Sequence, residues 1–302
     1  MTTRIGLVGT NTSHAGVFAE LLNGTADSPA RVPGARVVGV WGSERAGLSG
    51  PHPDARELQE KFGIDTVVTD PARLIGSVDA AIVVDDAGGG SLHPELAEPF
   101  LTAGLPTFID KPMTLTVAEA NALFDRAEQH GAPLMSSSAL RFSAELRELR
   151  ERLPDLGALS SVVMIGPGDW YNYGVHAVEV AQAVAGNGAA WVHQHSSEQR
   201  DVTVIGYAGS RPTTVVETLR DSVYAFHVNA YGADGFARAE ITDSAGFYAG
   251  TMAAFVEMTR TGTPPVGRAD TIEVLSILAA GQRSAETGDR VELDPIAEAR
   301  WP

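Results

Sequence analysis

The 302 residues carry 22 basic and 38 acidic side chains, a formal net charge of −16, and no cysteine. That balance argues against a phosphate-backbone or anionic-membrane partner, since both gather Lys and Arg. The missing cysteine removes a disulfide framework and a thiolate metal site. The length suits two domains. The polar start Met1-Thr2-Thr3-Arg4 lacks the apolar stretch of a signal peptide, and no window offers the roughly 18 uninterrupted apolar residues of a membrane span. A soluble, cytoplasmic enzyme without a nucleic-acid or membrane partner is therefore expected.

Short apolar runs at 5–8, 37–41, 80–84 and 106–109 alternate with helical patterns at 15–23, 53–62, 94–103 and 117–130. This is the rhythm of a parallel sheet with helices on its faces. Thr116 and Glu119 are spaced as a capping box for the fourth helix, Gly131 supplies its stop, and 134–136 reads as a further strand. A doubly wound fold of this kind binds ligands beyond the carboxyl ends of its strands.

A charged helix at 143–152 precedes Pro154 and Gly157, which mark a boundary, so the expected domains are 1–142 and 143–302. Beyond it, runs at 159–165, 190–196, 201–207, 213–219, 223–230 and 236–242 are rich in Val, Thr and aromatics. A helical period interrupts them at 173–185, and two closing helices, 247–260 and 269–286, flank Gly262-Thr263-Pro264-Pro265. The second domain is therefore expected to be an α+β unit with a large, mostly antiparallel open sheet and helices on one face. A sheet face so rich in Val, Thr and aromatics predicts a homodimer or homotetramer.

Lys111 stands out because the chain uses 20 arginines and two lysines. It sits in Phe108-Ile109-Asp110-Lys111-Pro112, where an apolar run ends. A compact ammonium whose proton can move offers what a guanidinium cannot; the alternative is a surface ion pair. Between the first strand and helix lies Gly9-Thr10-Asn11-Thr12-Ser13-His14, the place of a pyrophosphate cradle. Asn11 and His14 occupy the second and third glycine positions of G-x-G-x-x-G. Asn tolerates a left-handed backbone, Thr10, Thr12 and Ser13 offer hydroxyls, and His14 adds a donor. The alternative is that Thr12 or Ser13 caps the helix and His14 packs at its start. After the second strand, Gly42-Ser43-Glu44-Arg45 mixes an acid suited to a ribose 2′-hydroxyl with Ser43 and Arg45, suited to a 2′-phosphate, and leaves NAD against NADP open.

These features, with Tyr173-Gly174-Val175-His176-Ala177-Val178-Glu179 in the second domain, resemble the Gfo/Idh/MocA oxidoreductases nearly end to end. The resemblance implies a Rossmann domain followed by an α+β substrate domain, and NAD or NADP as cofactor. It also implies hydride transfer at a carbinol or carbonyl carbon of a sugar, cyclitol or related polyol. Asp110-Lys111-Pro112 stands where the family has Glu-Lys-Pro. Asp85-Asp86 through His93-Pro94 matches the loop that runs past the nicotinamide, and Arg141-Phe142 the Arg-Phe at the domain junction. Asn172 and His176, with Glu179 three residues later, map onto the family's Asp-x-Gly-x-His and its following acid, with an amide in place of the Asp.

In the resemblance the His and the Lys flank the substrate hydroxyl, which makes His176 the general base and Lys111 the group that stabilises the alkoxide or relays its proton. Asn172, four residues before His176, shares its helical face. Asp169, Trp170, Tyr171 and Tyr173 suit a polyol's hydroxyls and C–H faces, although Tyr171 or Tyr173 could equally be packing. His193 and His195 share a strand face without a third ligand, and no metal site is expected. Two other readings stay open. One is a redox-neutral epimerase, lyase or glycoside-cleaving enzyme with transient oxidation by bound NAD, suggested by Asn172. The other is a catalytically silent ligand-binding or regulatory protein, suggested by the degenerate glycine pattern.

Overall fold

The fold is given by a computed structural model that describes residues 2–25, 28, 30–45, 47, 52–209 and 211–293. The chain divides into two compact units. The first takes 1–115, 119–137 and 248–268, and the second takes 116–118, 138–247 and 269–302.

The first unit is built from β1 (Thr3–Val8), α1 (Ser13–Asn23), β2 (Ala35–Trp41), α2 (Ala55–Phe62), β3 (Thr66–Val68), β4 (Ala80–Val83), α3 (His93–Thr102), β5 (Thr107–Ile109), α4 (Val117–His130) and β6 (Leu134–Ser136). Among the described residues its six strands are ordered β3-β2-β1-β4-β5-β6 and every neighbouring pair is parallel. The order reverses between β1 and β4, the switch point of a doubly wound sheet, where the strand ends open a crevice for ligands. Ile5, Leu7, Ile82 and Val83 are fully buried, as expected of parallel strands covered on both faces. β3, three residues long, supplies the strand that brings the count to six; its Thr-Val-Val is too short to register as a pattern.

The second unit contains α5 (Ala144–Arg152), β7 (Leu159–Pro167), α6 (Trp170–Ala185), β8 (Ala189–Ser196), β9 (Arg200–Tyr207), β10 (Thr213–Leu219), β11 (Phe226–Gly232) and β12 (Phe236–Ile241). α7 (Ser244–Thr261), α8 (Arg268–Thr287) and β13 (Val291–Glu292) follow. Among the described residues its sheet runs β12-β11-β7-β10-β9-β8-β13, antiparallel throughout except where β7 and β10 pair in parallel. β12 alternates strictly, with Ala237, Ala239 and Ile241 buried and Phe236, Arg238 and Glu240 exposed, so one face of the sheet carries the core. α6 and α8 cover that face, and the Trp170 indole Nε1 donates to Leu278 O at 3.1 Å.

A single division at 142/143 does not describe these units. α7 starts in the second, but from Tyr248 onward it belongs to the first. Met252, Phe255 and Met258 of α7 are fully buried, and Phe255 lies 6.1 Å from Phe108 of β5. Apolar demand at helical spacing shows in the sequence; which core satisfies it does not. No helix among the described residues is long and apolar enough to cross a membrane.

Candidate functional site

In the first unit the site grows from the β1–α1 turn. Gly9 adopts φ +104°, and a Cβ there would come within 2.5 Å of the Asp85 backbone nitrogen. Only glycine lets the turn lie so close to the end of β4. Thr12 caps α1, its Oγ1 accepting the His14 backbone N–H at 3.4 Å. Thr10 and Asn11 are buried beside it.

The Asn11 side chain joins three strand ends. Its amide donates to Asp85 Oδ2 at 3.1 Å and to Arg45 O at 3.2 Å, and its Oδ1 accepts from the Asp86 N–H at 2.9 Å. Asp85 is fully buried and its other oxygen accepts the Ala87 N–H at 3.0 Å. Asn11 therefore keeps the turn in register by side-chain bonds where the glycine pattern would rely on backbone approach.

Past β2, a cavity of about 710 Å³ is lined by Gly42, Ser43, Glu44, Arg45, Asp70 and Leu96 among others. Ser43 Oγ accepts the Arg45 N–H at 3.1 Å. A Cβ on Gly42 would approach Thr10 Oγ1 to 2.8 Å, so the cavity wall and the turn are in contact. The opening turn of α1, the glycine-limited backbone and this polar hollow fit a dinucleotide: N–H groups for its phosphates, and room with an acid, a hydroxyl and a guanidinium for a ribose.

His14 is spent differently. Its Nδ1 lies 2.7 Å from Asp110 Oδ2 and its Nε2 3.0 Å from the Tyr248 hydroxyl. Burial pushes the Asp110 carboxyl up, but the charge and hydrogen bond of His14, with Lys111 and His93 behind them, hold it well below the usual carboxylate range. Lys111 follows directly, half-buried, past the carboxyl end of β5, and its peptide bond to Pro112 is cis. His93 is buried at the start of α3, with Nδ1 3.1 Å from Pro112 O. Burial pushes its pKa down and keeps the ring neutral, against smaller upward pulls from Asp110 and Pro112.

In the second unit the start of α6 carries the matching residues. Asp169 caps the helix, accepting the Asn172 N–H at 2.8 Å and the Asn172 side-chain amide at 3.2 and 3.0 Å. His176 Nδ1 meets Ser138 Oγ at 2.7 Å, and its ring lies 5.8 Å from Tyr173 and 6.1 Å from Phe226. Below it, Arg141 Nε donates to Glu179 Oε2 at 2.5 Å and its terminal nitrogen to Gln182 Oε1, in an environment almost closed to solvent. A cavity of about 540 Å³ is lined by Asp169, Tyr171, Asn172, Asp201, Arg220 and Gln282 among others. Trp170 is buried in its floor, its backbone N–H donating to Asp201 Oδ2 at 3.1 Å.

The sequence-predicted residues thus gather in small sets. In the first unit these are Asn11 with Asp85, Asp86 and Arg45; His14 with Asp110; and His93 with the Pro112 carbonyl. In the second they are His176 with Tyr173, Arg141 with Glu179, and Asn172 with Asp169. Asn172 turns its amide to Asp169 rather than to the histidine one turn on. Sequence reasoning missed Tyr248, Asp201 and Arg220, which lie in no motif, and gave no role to Ser138 although it stands three residues before Arg141.

A sequence model described as an oxidoreductase family with an NAD-binding Rossmann fold matches residues 3–138. Myo-inositol dehydrogenase Hyg17 of Streptomyces leeuwenhoekii is 33% identical over 99 residues, 32% of this chain and 30% of its own length. The chain thus spans only about three-tenths of that relative. D-xylose 1-dehydrogenase (NADP(+)) 2 of Haloferax volcanii is 26% identical over 292 residues, 80% of this chain and 89% of its own. Among solved structures, a myo-inositol dehydrogenase from Corynebacterium glutamicum superposes with a TM-score of 0.81 at 17% identity, covering 98% of this chain and 100% of its own. That likeness carries the two-domain fold from end to end, and the family match falls on the unit where the turn, Asn11 and Asp110-Lys111-Pro112 stand. Residues 3–138 match the Gfo/Idh/MocA oxidoreductase family model.

Proposed function

We propose that the chain is an NAD(P)-dependent dehydrogenase or reductase acting on a CH–OH or carbonyl carbon of a sugar, cyclitol or related polyol. The observation that carries this reading is the position of Lys111: it directly follows β5 at the carboxyl edge of a parallel sheet ordered β3-β2-β1-β4-β5-β6, the edge at which such folds bind ligands. The family match and the dinucleotide-sized features of the β1–α1 turn and the β2 hollow support it.

When bound, the dinucleotide supplies the hydride acceptor or donor. Gly9, Thr10, Thr12, Ser13, Ser43 and Arg45 hold it, while Asn11, Asp85 and Asp86 keep the turn in shape. His93 holds the Pro112 carbonyl and Asp110 is held by His14, on either side of Lys111 in sequence. His176, its Nδ1 held by the Ser138 hydroxyl, takes the hydroxyl proton in the oxidative direction and returns it in reduction. Lys111 stabilises the oxygen as it becomes an alkoxide, and each group is asked for only a few kcal/mol. Asn172, an amide that cannot take a proton, contributes hydrogen bonds. Arg141 positions α6 through Glu179, and Asp169, Trp170, Tyr171 and Tyr173 give the substrate side its acid and aromatic surfaces.

The test is calorimetric titration of NAD, NADH, NADP and NADPH into protein first freed of copurified nucleotide, followed by an absorbance screen of sugars and cyclitols. One redox pair is expected to bind. Lys111→Met and His176→Ala are each expected to lower kcat by about 10²–10⁴-fold with intact cofactor binding. Failure of all four nucleotides to bind would overturn the reading. Retained nucleotide with no net turnover would overturn its dehydrogenase part.

Self-association through the second unit's sheet belongs to the same reading. Tyr231 and Phe236 are 44% and 61% exposed and stack with ring centroids 6.2 Å apart, an apolar pair seldom left in water. A dimer or tetramer is expected by light scattering at micromolar concentration, and a monomer would remove this part. A cytoplasmic setting accords with the cysteine-free composition and is checked by cell fractionation.

A further inference from the structure

His14 stands where the glycine pattern has its third glycine, yet both its ring nitrogens are engaged within the protein. Nδ1–H donates to the Asp110 carboxylate at 2.7 Å, and Nε2 meets the Tyr248 hydroxyl at 3.0 Å. The His14 and Asp110 side chains are 12% and 10% exposed, so the pair is largely withdrawn from solvent. The ring is also seated sterically: it lies 5.6 Å from Phe18 and 5.2 Å from Tyr248, and Phe18 in turn lies 5.9 Å from Phe108 on β5.

A side chain merely filling the space of a missing glycine needs no ionic partner. This one grips the carboxylate of the residue that immediately precedes Lys111. A buried carboxylate beside a lysine has an obvious partner in that lysine, and a lysine clamped in this way is lost to a ligand. Here the Asp110 carboxylate is given to His14, and among the described residues Lys111 forms no salt bridge. The depressed protonation of Asp110 is consistent with a carboxylate that stays charged and compensated.

We propose that His14, Asp110 and Tyr248 form a positioning relay for Lys111, in which Tyr248 fixes His14, His14 holds the Asp110 carboxylate, and the lysine ammonium is left for a substrate oxygen. The final step rests on the reading of Lys111 as a catalytic residue given above; the relay itself does not.

The test exploits the presence of only two lysines. Trace acetylation of the nucleotide-free protein with acetic anhydride, read by peptide mass spectrometry, gives the reactivity of Lys111 relative to Lys61, an internal control on α2. His14→Gln is expected to lower that ratio about fivefold, as the freed carboxylate clamps the ammonium, and Tyr248→Phe to lower it by less. Adding Asp110→Asn to His14→Gln should restore the ratio, a rescue that a purely structural role for His14 would not produce. An unchanged ratio in both single variants would overturn the relay, as would a fall that Asp110→Asn does not reverse. Tyr248→Phe, which deletes one oxygen, keeps the test open if His14→Gln folds poorly. Turnover by Lys111→Met equal to the unaltered protein would sink the catalytic reading alone, because the labelling ratio requires no turnover.

Discussion

The β1–α1 turn of the first unit and the opening turn of α6 in the second are both helix starts rich in polar side chains, and both carry an asparagine where the family pattern has another residue. They differ in what surrounds that asparagine. Asn11 is 8% exposed, and among the described residues its side-chain bonds go to parts of the chain far away in sequence: Asp85, Asp86 and the Arg45 carbonyl. Asn172 is exposed, and its recorded side-chain bonds go to Asp169, three residues earlier. The first asparagine maintains tertiary structure; the second decorates a helix end. A departure from a family motif is therefore not one kind of event. In a buried turn the replacement must satisfy neighbouring strands, whereas at an open helix start it is free to serve a ligand.

The sharpest way to break this contrast is to make the same substitution at both places. Asn11→Asp removes two donated hydrogen bonds and sets a second carboxylate beside fully buried Asp85. The expected cost is about 3–5 kcal/mol, the range for an uncompensated buried charge. Chemical denaturation at pH 7 checks it, and a loss below about 1 kcal/mol would mean that Asn11 does not join the strand ends. Gly9→Ala comes next. Both the φ of +104° and the 2.5 Å approach to the Asp85 nitrogen must be relieved, at about 3 kcal/mol. Its calorimetric signature is a lower Tm, and an unaltered Tm would show that the turn has room to shift.

The same contrast explains what could be read from the sequence. The parallel unit was legible because buried strands declare themselves as apolar runs and its helices carry their own stops. Lys111 and His176 were legible because each sits in a local motif. Asn11 and His14 were recognised as occupants of glycine positions, but their actual bonds were invisible, since the partners Asp85, Asp110 and Tyr248 lie 74, 96 and 234 residues away. Tyr248 had no signal: α7 reads as one amphipathic helix, and nothing in its periodicity says that it passes from the second unit into the first at that residue. β3 and β13, of three and two residues, owe their existence to pairing with β2 and β8 rather than to their own composition.

A smaller effect is expected at His93, which extends the buried side of the comparison. Burial keeps its ring neutral in the fold, whereas the unfolded chain binds a proton near pH 6.5. Below that pH the unfolded state holds more protons, so stability falls as pH falls, by at most about 1.4 kcal/mol per pH unit from this residue. The Asp110 carboxyl is also held low, here because its charged form is favoured, so its contribution is present above the ordinary carboxylate range and is lost only in stronger acid, below about pH 4. The two windows are separable. Unfolding free energies between pH 6.5 and 5 should decline less steeply in His93→Gln than in the unaltered protein, and parallel slopes would remove His93 as the cause.

The smallest effect should come from the second half of the paired substitution. Asn172→Asp keeps the backbone bond to Asp169 Oδ1 but replaces a donated amide with a like charge at contact distance. Repulsion between exposed carboxylates on one helical turn costs a few tenths of a kcal/mol, and an added acid in the first turn of α6 recovers a similar amount from the helix dipole. The net change in stability should lie within about 0.5 kcal/mol. The substitution also restores the acid that the family motif carries at this position, so it separates stability from chemistry. If Asn172 serves only as a hydrogen-bonding amide, kcat should change by less than tenfold while the substrate KM moves. A loss above about 2 kcal/mol would instead place Asn172 in a network as demanding as that of Asn11, and the distinction between a buried turn and an open helix start would fail for this protein.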